Sequence, residues 1–294
     1  MTNARPALHF TPSVTFALAA LAIAAFAGNS LLTRAALSGE LIGPGAFGTI
    51  RLASGAAALM VFCLLTRRDI RPRITDLPGA AALAVYTGFF SFAYVALDAA
   101  SGALILFAAV GGTVTIASLR HGVSAREIGG LMIAFAGLVW LLLPGSGGAA
   151  PGAAALMAVA GVAWGVYTLR GRAGGDPVGR TARNFALAWP FLLPAMLITG
   201  FDDVTGHGIT LAIVCGVITS AAGYSVWYLC LPRLPVIASG SVQLATPAAA
   251  ALGGVLLLGE PAGWRLAGAS ALILAGIALT LIRRRQAGSI TPKA

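Results

Sequence analysis

Charge is scarce in this chain, and lysine is nearly absent. Asp, Glu, Lys and Arg together make up 10% of the 294 residues, whereas soluble domains contain about 25%. Lys293 is the one lysine, so a Gly-x-x-x-x-Gly-Lys-Ser/Thr phosphate loop cannot exist and ATP-driven work is not expected. Cys63, Cys215 and Cys230 lie in apolar stretches, where packing is their usual role. We therefore expect no disulfide, no metal site and no cofactor.

Long apolar runs take the place of the missing charge. The chain is 58% hydrophobic, with a mean hydropathy of +0.90, and about 20 apolar residues suffice to cross ~30 Å of hydrocarbon. The connectors between the runs are short, so the sequence predicts an all-α integral membrane protein without a soluble domain. Ten windows of suitable length fit: 13–34, 44–66, 77–97, 101–119, 125–143, 151–170, 182–200, 206–231, 236–258 and 263–283.

Basic residues are distributed unevenly between the two ends of these windows. With the N-terminus in the cytoplasm, all 19 cations except Arg34, Arg51 and Arg265 fall on the cytoplasmic side. This is the positive-inside bias, and it predicts ten transmembrane helices with both termini inside. The same placement accounts for the net charge of +10, which in a soluble protein would suggest nucleic acid. No nucleic-acid partner is expected.

Acidic residues and histidine are missing from the interior of the windows. The three histidines, His9, His121 and His207, are in or near predicted loops. An integral membrane enzyme would need such groups clustered at one depth, so we expect no enzyme. Proton-coupled carriers usually keep an ionisable relay near the midplane, whereas Asp98 and Glu260 stand at window ends. Gradient-driven, facilitated movement is therefore favoured over strict proton antiport.

The two halves of the sequence resemble each other when position 29 is aligned with position 167. Each half holds five windows, so the halves enter the membrane from opposite sides. This predicts a 5+5 inverted-topology repeat, 1–145 and 146–294, with the substrate site near the midplane between the halves. The matched segments are AFAGNSLLTR (25–34) with AWGVYTLRGR (163–172), SFAY (91–94) with SVWY (225–228), and IAFAGLVWLLL (133–143) with LILAGIALTLI (272–282).

Helix-breaking residues occupy corresponding places in the two halves. Pro247 in the ninth window lies over Ala109, next to Gly111 and Gly112 in the fourth. Broken helices expose backbone groups, which are tolerated at membrane depth only where protein or a watery cavity satisfies them. We predict that Gly111, Gly112 and Pro247 are hinges; simple packing kinks are the alternative.

The end of the chain resembles the drug/metabolite transporter superfamily, in its EamA-like form. The pattern there is an apolar span with a Pro near its middle, then Leu-Gly-Glu, then a Gly that opens the last span. Pro247, Leu258-Gly259-Glu260 and Gly268 match it within the segment that ends LLLGEPAGWRLAGASALILAGIALTLI (256–282).

The first half departs from that pattern. His121 stands where the repeat predicts Glu, and Phe26 replaces the Trp of a Trp-Gly-x-Asn signature that Asn29 otherwise keeps. The aromatic residues are most similar to those of the YddG-type aromatic amino acid exporters. The resemblance implies a multi-pass transporter of the cytoplasmic (inner) membrane of a bacterium.

Polar and aromatic residues recur at helical spacing on the windows that would face each other across the repeat. A pocket lined by these residues would offer π faces, hydroxyls and amides without a fixed charge. This lining suits a small, partly aromatic, neutral or zwitterionic solute. The alternatives are an interfacial aromatic belt and, for the two amides, ties between helices. The predicted substrate-binding residues are Asn29, Tyr86, Ser91, Tyr94, Trp164, Tyr167, Tyr224, Trp227, Ser239 and Gln243.

Taken together, these features predict a secondary transporter. We expect it to export small amino acids, aromatic amino acids or related metabolites by alternating access around a midplane cavity, as a monomer surrounded by lipid. A carrier of another small metabolite, vitamin, nucleobase or drug stays open as the alternative. A channel is less favoured, because the sequence has no ring of like charges and no filter segment.

Overall fold

The computed structural model describes residues 11–119, 124–142, 150–172, 175–200, 204–259 and 264–281. Within these ranges the chain is helical and contains no strand. Seven helical runs are long and apolar enough to cross a membrane, in agreement with a multi-pass membrane protein. The predictions made for His9, His121 and Glu260 fall outside the described residues.

The helices of the first half begin at residues that suit helix starts. Pro12 and Pro44 open the first two, where a missing N–H costs nothing. Asp98, which stands at the end of a predicted window, caps a helix by accepting a hydrogen bond from Ser101 N at 2.7 Å. The helices are α1 (Pro12–Ser38), α2 (Pro44–Leu65), α3 (Leu77–Ala93), α4 (Ala99–Ser118) and α5 (Ala125–Leu142).

The helices of the second half are more interrupted. Between α7 and α8 the chain makes a tighter 3-10 turn, Trp189–Leu192, and between α9 and α10 it forms a π-helical segment, Cys215–Ala222. Segments of the π type are rare and frequently lie at functional sites. The helices are α6 (Pro151–Gly171), α7 (Pro177–Ala188), α8 (Leu193–Thr199), α9 (Gly206–Val214), α10 (Gly223–Cys230), α11 (Val236–Gln243), α12 (Ala245–Leu258) and α13 (Trp264–Leu281).

The break in the ninth predicted window lies at Leu244, between α11 and α12. Pro247 causes it, because its ring has no N–H to donate and collides with the carbonyl of the residue four positions earlier. No break occurs at Gly111 and Gly112, since α4 is continuous from Ala99 to Ser118; a hinge role for these two glycines stays a prediction. Glycine keeps its N–H, and in a membrane the retained helical hydrogen bonds outweigh its flexibility.

Helix packing joins the two halves throughout. The α5–α13 pair is the most extensive contact among the described helices. Helix α3 packs on α6, and the run from α9 to α10 packs on α1. Helix α4 also packs on α6, α12 packs on α1, and α2 packs on α7. When each predicted span is replaced by the span five positions away, most of these helix pairs become another pair that is also packed together.

Two glycines allow α5 and α13 to approach closely. A Cβ added to Gly137 would lie 2.9 Å from the carbonyl oxygen of Ala269, and one added to Gly276 would collide with the carbonyl oxygen of Gly130. Small residues permit such backbone contact in membrane helix pairs. The two contacts are reciprocal, because the sequence match that aligns Gly137 with Gly276 also aligns Gly130 with Ala269.

Gly137→Ala is expected to destabilise the protein by about 1–3 kcal/mol relative to Gly129→Ala, since overpacking against backbone cannot relax. Both positions lie in α5, and a Cβ at Gly129 would meet nothing within 4 Å. The two variants gain the same helix propensity, so their difference isolates the packing. The thermal unfolding midpoints of the detergent-purified proteins measure it. Equal midpoints would contradict the close α5–α13 contact.

A buried ion pair ties the loop before α3 to α7. Arg183 Nε donates to Asp76 Oδ2 at 2.7 Å, and the two side chains are 7% and 6% exposed. Arg183 also donates to the carbonyl of Asp69. At the exposed carboxylate of Asp69, a hydrogen bond from the backbone N–H of Arg71, and next the side chain of Arg73, lower the pKa from its ordinary value. These contacts lie on the side predicted to be cytoplasmic.

Candidate functional site

A buried polar network surrounds the guanidinium group of Arg51 in α2. Its Nε donates to Ser220 Oγ at 2.8 Å, and its Nη2 donates to the hydroxyls of Tyr86 (3.2 Å) and Tyr224 (2.6 Å). Arg51 and Tyr224 are fully buried, and Tyr86 is 3% exposed. Arg51 and Tyr86 come from α2 and α3, Ser220 and Tyr224 from the π-helical segment and α10. The hydrogen bonds from Arg51 to Ser220 and Tyr224 therefore cross between the predicted halves, and the one to Tyr86 stays within the first half.

Asn29 in α1 extends this network. Its Oδ1 accepts from the hydroxyls of Thr219 (2.6 Å) and Ser220 (3.0 Å) and from Cys215 Sγ (3.4 Å). Its Nδ2 donates to the Tyr224 hydroxyl at 3.2 Å. Both ends of the amide are thus committed to residues of the second half. We call Asn29, Arg51, Tyr86, Ser220 and Tyr224 the central network.

Close backbone approach brings the π-helical segment to α2. A Cβ on Gly55 would lie 2.8 Å from the carbonyl oxygen of Gly216, and a Cβ on Gly216 would collide with the carbonyl oxygen of Arg51. Glycine at both positions lets the helices touch through their backbones. This contact puts Ser220 within hydrogen-bonding distance of the Arg51 side chain.

Aromatic rings enclose the central network on the side of α1 and α6. The ring of Trp164 lies 4.9 Å from Tyr86 and 4.5 Å from Tyr224, centroid to centroid. Phe26 packs edge-on against Trp164 at 5.3 Å and against Trp227 at 5.7 Å. Such separations and tilts are favourable for aromatic pairs. The indole Nε1 of Trp227 is buried and has no hydrogen-bond partner among the described residues.

A second polar contact fixes Trp164 from the other side. Its indole N–H donates to Gln243 Oε1 at 2.6 Å, and Gln243 Nε2 donates to the carbonyl of Ser239 at 2.7 Å. Tyr167 packs on Trp164 at 5.3 Å, and Tyr228 stacks on Tyr167 at 5.0 Å. Gln243, like Asn29, therefore has both ends of its amide engaged by the protein.

The hydroxyls of three predicted residues bond within their own neighbourhood and not to the central network. Ser91 Oγ donates to the carbonyl four residues earlier in α3 (2.8 Å), and Ser239 Oγ to the carbonyl three residues earlier in α11 (2.6 Å). The Tyr94 hydroxyl donates to the carbonyl of Ala99 at 3.4 Å, and its ring packs on Phe90 at 4.7 Å. Of the predicted set, Asn29, Tyr86, Trp164, Tyr167, Tyr224, Trp227 and Gln243 lie together.

Arg51 corrects two predictions. The sequence predicts that it lies at the outer end of its window and that the pocket carries no fixed charge, whereas its guanidinium group is buried against Tyr86 and Tyr224. Arg51 lies seven residues inside α2, about 10 Å along the helix at 1.5 Å per residue, and it is fully buried. A charged residue inside an apolar window is by default a candidate functional residue, so the sequence contained a signal for it.

Two half-buried arginines each join the end of one helix to the end of another. Arg34 Nη1, at the end of α1, donates to the carbonyls of Tyr94 (3.3 Å) and Val95 (3.4 Å), just past α3. Arg172, at the end of α6, donates to the carbonyls of Leu231 (3.0 Å) and Leu234 (2.8 Å), just past α10. The two arginines therefore make equivalent contacts in the two halves.

Apolar helices long enough to cross a membrane, with a buried polar network between them, indicate a multi-pass membrane protein. Residues 152–282 match the model of the EamA-like transporter family. A protein of Pseudomonas aeruginosa described as uncharacterized is 46% identical over 275 residues, which cover 92% of this chain and 95% of that protein. This chain belongs to the EamA-like transporter family.

Other relatives are named as transporters. An uncharacterized transporter of Archaeoglobus fulgidus is 25% identical over 260 residues, covering 83% of this chain and 91% of that one. The threonine/homoserine exporter RhtA of Salmonella typhimurium is 31% identical over 137 residues, covering 45% and 46%. A solved crystal structure superposes with a TM-score of 0.74 at 20% identity, covering 92% and 97%, which shows the shared fold. The family is one of transporters, so the prediction that the chain is not an enzyme is confirmed.

Proposed function

We propose that this chain is a secondary transporter that exports small amino acids, aromatic amino acids or related metabolites by alternating access. The observation that carries the proposal is the central network, which is buried where the two predicted halves meet. A solute that enters there replaces hydrogen bonds between the halves. Its binding energy therefore bears directly on the equilibrium between conformations, as alternating access requires.

Contacts between matched residues support the inverted repeat of 1–145 and 146–294. Tyr224 donates to the Tyr86 hydroxyl at 3.2 Å, and the two residues are 138 positions apart. Phe26 and Trp164 have the same separation in the sequence and pack at 5.3 Å. Residues related by a two-fold axis touch each other only next to that axis. The proposed axis therefore passes through the central network.

The ends of the helices support the same repeat. Arg34 and Arg172 are aligned with each other in the sequence match and make equivalent contacts, to Tyr94 and Val95 in one case and Leu231 and Leu234 in the other. Judged by these contacts, the residue of the second half that corresponds to Tyr94 lies near Leu231. The match of SFAY (91–94) with SVWY (225–228) instead makes Tyr228 the corresponding residue. The reciprocal glycine contacts of α5 and α13 are a further match.

Ten spans with both termini in the cytoplasm complete the proposed architecture. The helices of the described residues follow the ten predicted windows, and the predicted hinge at Pro247 lies three residues after the break between α11 and α12. In this orientation Arg34 lies at the outer side and Arg172 at the cytoplasmic side. We place the monomer in the inner membrane of a bacterium; the RhtA and Pseudomonas relatives are bacterial proteins.

The proposed substrate class is supported by the aromatic enclosure and by one relative. The rings of Trp164, Tyr86 and Tyr224 offer faces for an apolar or aromatic side chain. RhtA is named as a threonine/homoserine exporter. A carrier of another small metabolite, vitamin, nucleobase or drug is the alternative; a cationic drug fits poorly, because the central network is itself positively charged through Arg51.

Uptake by proteoliposomes tests this proposal. Vesicles containing the purified protein and preloaded with unlabelled phenylalanine or threonine are expected to accumulate the labelled amino acid by exchange, above protein-free vesicles. An imposed pH gradient is expected to change the rate little, and Asp98→Asn to keep it, since Asp98 serves as a helix cap. Exchange of nucleobases or quaternary ammonium dyes without exchange of either amino acid would contradict the proposed substrate class.

A further inference from the structure

The guanidinium group of Arg51 is a buried charge without a counter-ion among the residues that the structure describes. Its Nε and Nη2 donate only to neutral hydroxyls, and its Nη1 has no hydrogen-bond partner. The rings of Tyr86 and Phe90 lie 5.5 Å and 5.0 Å from its central carbon. Arginine does not lose its proton in proteins. A charge held in this way is costly to bury unless an anion approaches it.

The hydroxyl of Tyr86 is a second donor without an acceptor. The Tyr224 oxygen receives hydrogen bonds from Arg51 Nη2 and Asn29 Nδ2, so its own proton goes to Tyr86 at 3.2 Å. The Tyr86 oxygen accepts that bond and one from Arg51 Nη2. With both lone pairs of Tyr86 used, its proton is left to donate, and none of the described residues accepts it. Arg51 Nη1 and the Tyr86 hydroxyl are thus two donors in one place.

We infer that Arg51 Nη1 and the Tyr86 hydroxyl bind the carboxylate of the solute, and that this anionic group is the feature the transporter requires. The inference rests on the proposed transport function and specifies its substrate class: small organic carboxylates with an apolar or aromatic body. Two donors on a charged and a neutral group match the two oxygens of a carboxylate. The neighbouring ring faces of Trp164 and Tyr224 then take the body of the solute.

An α-amino group is not required by this site. The contacts of the central network described above are hydroxyls, an amide, a thiol and aromatic rings, and none is a carboxylate that would attract an ammonium group. Arg51 repels a cation at the same place. Amino acids are therefore bound through their carboxylate, and acids that lack the amino group are bound as well. The donors are buried in the present conformation, so the solute reaches them when the halves separate on one side.

Three matched probes test the contributions of the amino group and of the carboxylate of the solute one at a time. Phenylalanine carries both, 3-phenylpropanoate lacks the amine, and phenylalaninol lacks the carboxylate. Thermal shift of the purified protein and competition for exchange in proteoliposomes are measured with each. We expect 3-phenylpropanoate to bind within about threefold of phenylalanine and phenylalaninol at least about tenfold more weakly, the loss of one charge-assisted contact.

Two variants locate the effect. Arg51→Gln is expected to lower the affinity for both carboxylates at least about tenfold, with Arg51→Lys in between, because lysine keeps the charge without the fork. Tyr86→Phe keeps the aromatic ring and is expected to lower the affinity for both carboxylates several-fold. If Arg51→Gln does not fold, the wild-type probe series and Tyr86→Phe decide the question.

The outcomes distinguish this inference from the transport proposal. Equal binding of phenylalaninol and phenylalanine, or unchanged carboxylate affinity in Tyr86→Phe and Arg51→Gln, overturns the inference and leaves transport intact. Carboxylate-dependent binding with no exchange into vesicles supports the inference and overturns the transport proposal. Failure of the folded wild-type protein to bind any of the three probes overturns both.

Discussion

Tyr224→Phe is expected to reduce the rate of exchange in proteoliposomes at least about tenfold while the protein stays folded. The hydroxyl accepts from Arg51 at 2.6 Å and from Asn29 at 3.2 Å, and donates to Tyr86 at 3.2 Å. Its loss leaves a charged donor buried without an acceptor, which costs about 1–3 kcal/mol or more. The ring is kept, so its packing on Trp164 at 4.5 Å persists.

Tyr228→Phe is the matched control for that experiment. Tyr228 is also buried in α10, but its hydroxyl makes a single hydrogen bond, to the carbonyl of Tyr167 at 2.9 Å. Its removal is expected to leave most of the exchange rate. Initial rates are compared at equal reconstituted protein, after size-exclusion profiles show that both variants are folded. Equal rates for the two variants would contradict the special role of the central network.

Arg34→Ala and Arg172→Ala are expected to shift the accessible side of the protein in opposite directions. Arg34 holds α1 to the end of α3 on the side proposed to be outer, and Arg172 holds α6 to the end of α10 on the side proposed to be cytoplasmic. Hydrogen bonds from a charged group contribute about 1.5–3 kcal/mol. The loss of one is therefore expected to change the ratio of outward- to inward-open states about tenfold.

Cys215 reports this shift. It is fully buried beside Asn29, and Cys63→Ser with Cys230→Ser leaves it as the single thiol. Labelling by an impermeant maleimide from outside is expected to rise in Arg34→Ala and to fall in Arg172→Ala. Arg73→Ala is the control, because the Arg73–Asp69 ion pair is about half exposed and such pairs contribute little. A change of the same sign in Arg34→Ala and Arg172→Ala would contradict the inverted repeat.

The helices were predictable from the sequence because apolar length and flanking residues decide them. The window 151–170 became α6 (Pro151–Gly171), and 236–258 became α11 and α12. Proline and charged residues mark these ends unambiguously. The π-helical segment Cys215–Ala222 was not predictable, because it depends on close contact between Gly216 and α2. The exact position of the break, at Leu244, was not predictable either, because it follows from the geometry around Pro247.

The candidate site was predictable in its aromatic part and not in its charged part. Tyr86, Trp164 and Tyr224 stand deep inside their windows, which favours a shared interior. The position of Arg51 inside the window 44–66 marked it as a candidate, but the direction of its side chain was not predictable, because a long side chain can reach the interface as well as the core. Only the hydroxyls of Ser220, Tyr86 and Tyr224, from helices far apart in the sequence, decide it.

The most direct test of the central network as the substrate site is the protection of Cys215 by solute. In the variant that keeps Cys215 alone, phenylalanine at about ten times its Kd is expected to slow maleimide labelling about tenfold, by occupancy of the site. A variant that keeps Cys63 alone is expected to show no such protection, since Cys63 lies at the far end of α2. Unchanged labelling of Cys215 under saturating, actively exchanged phenylalanine would contradict the account.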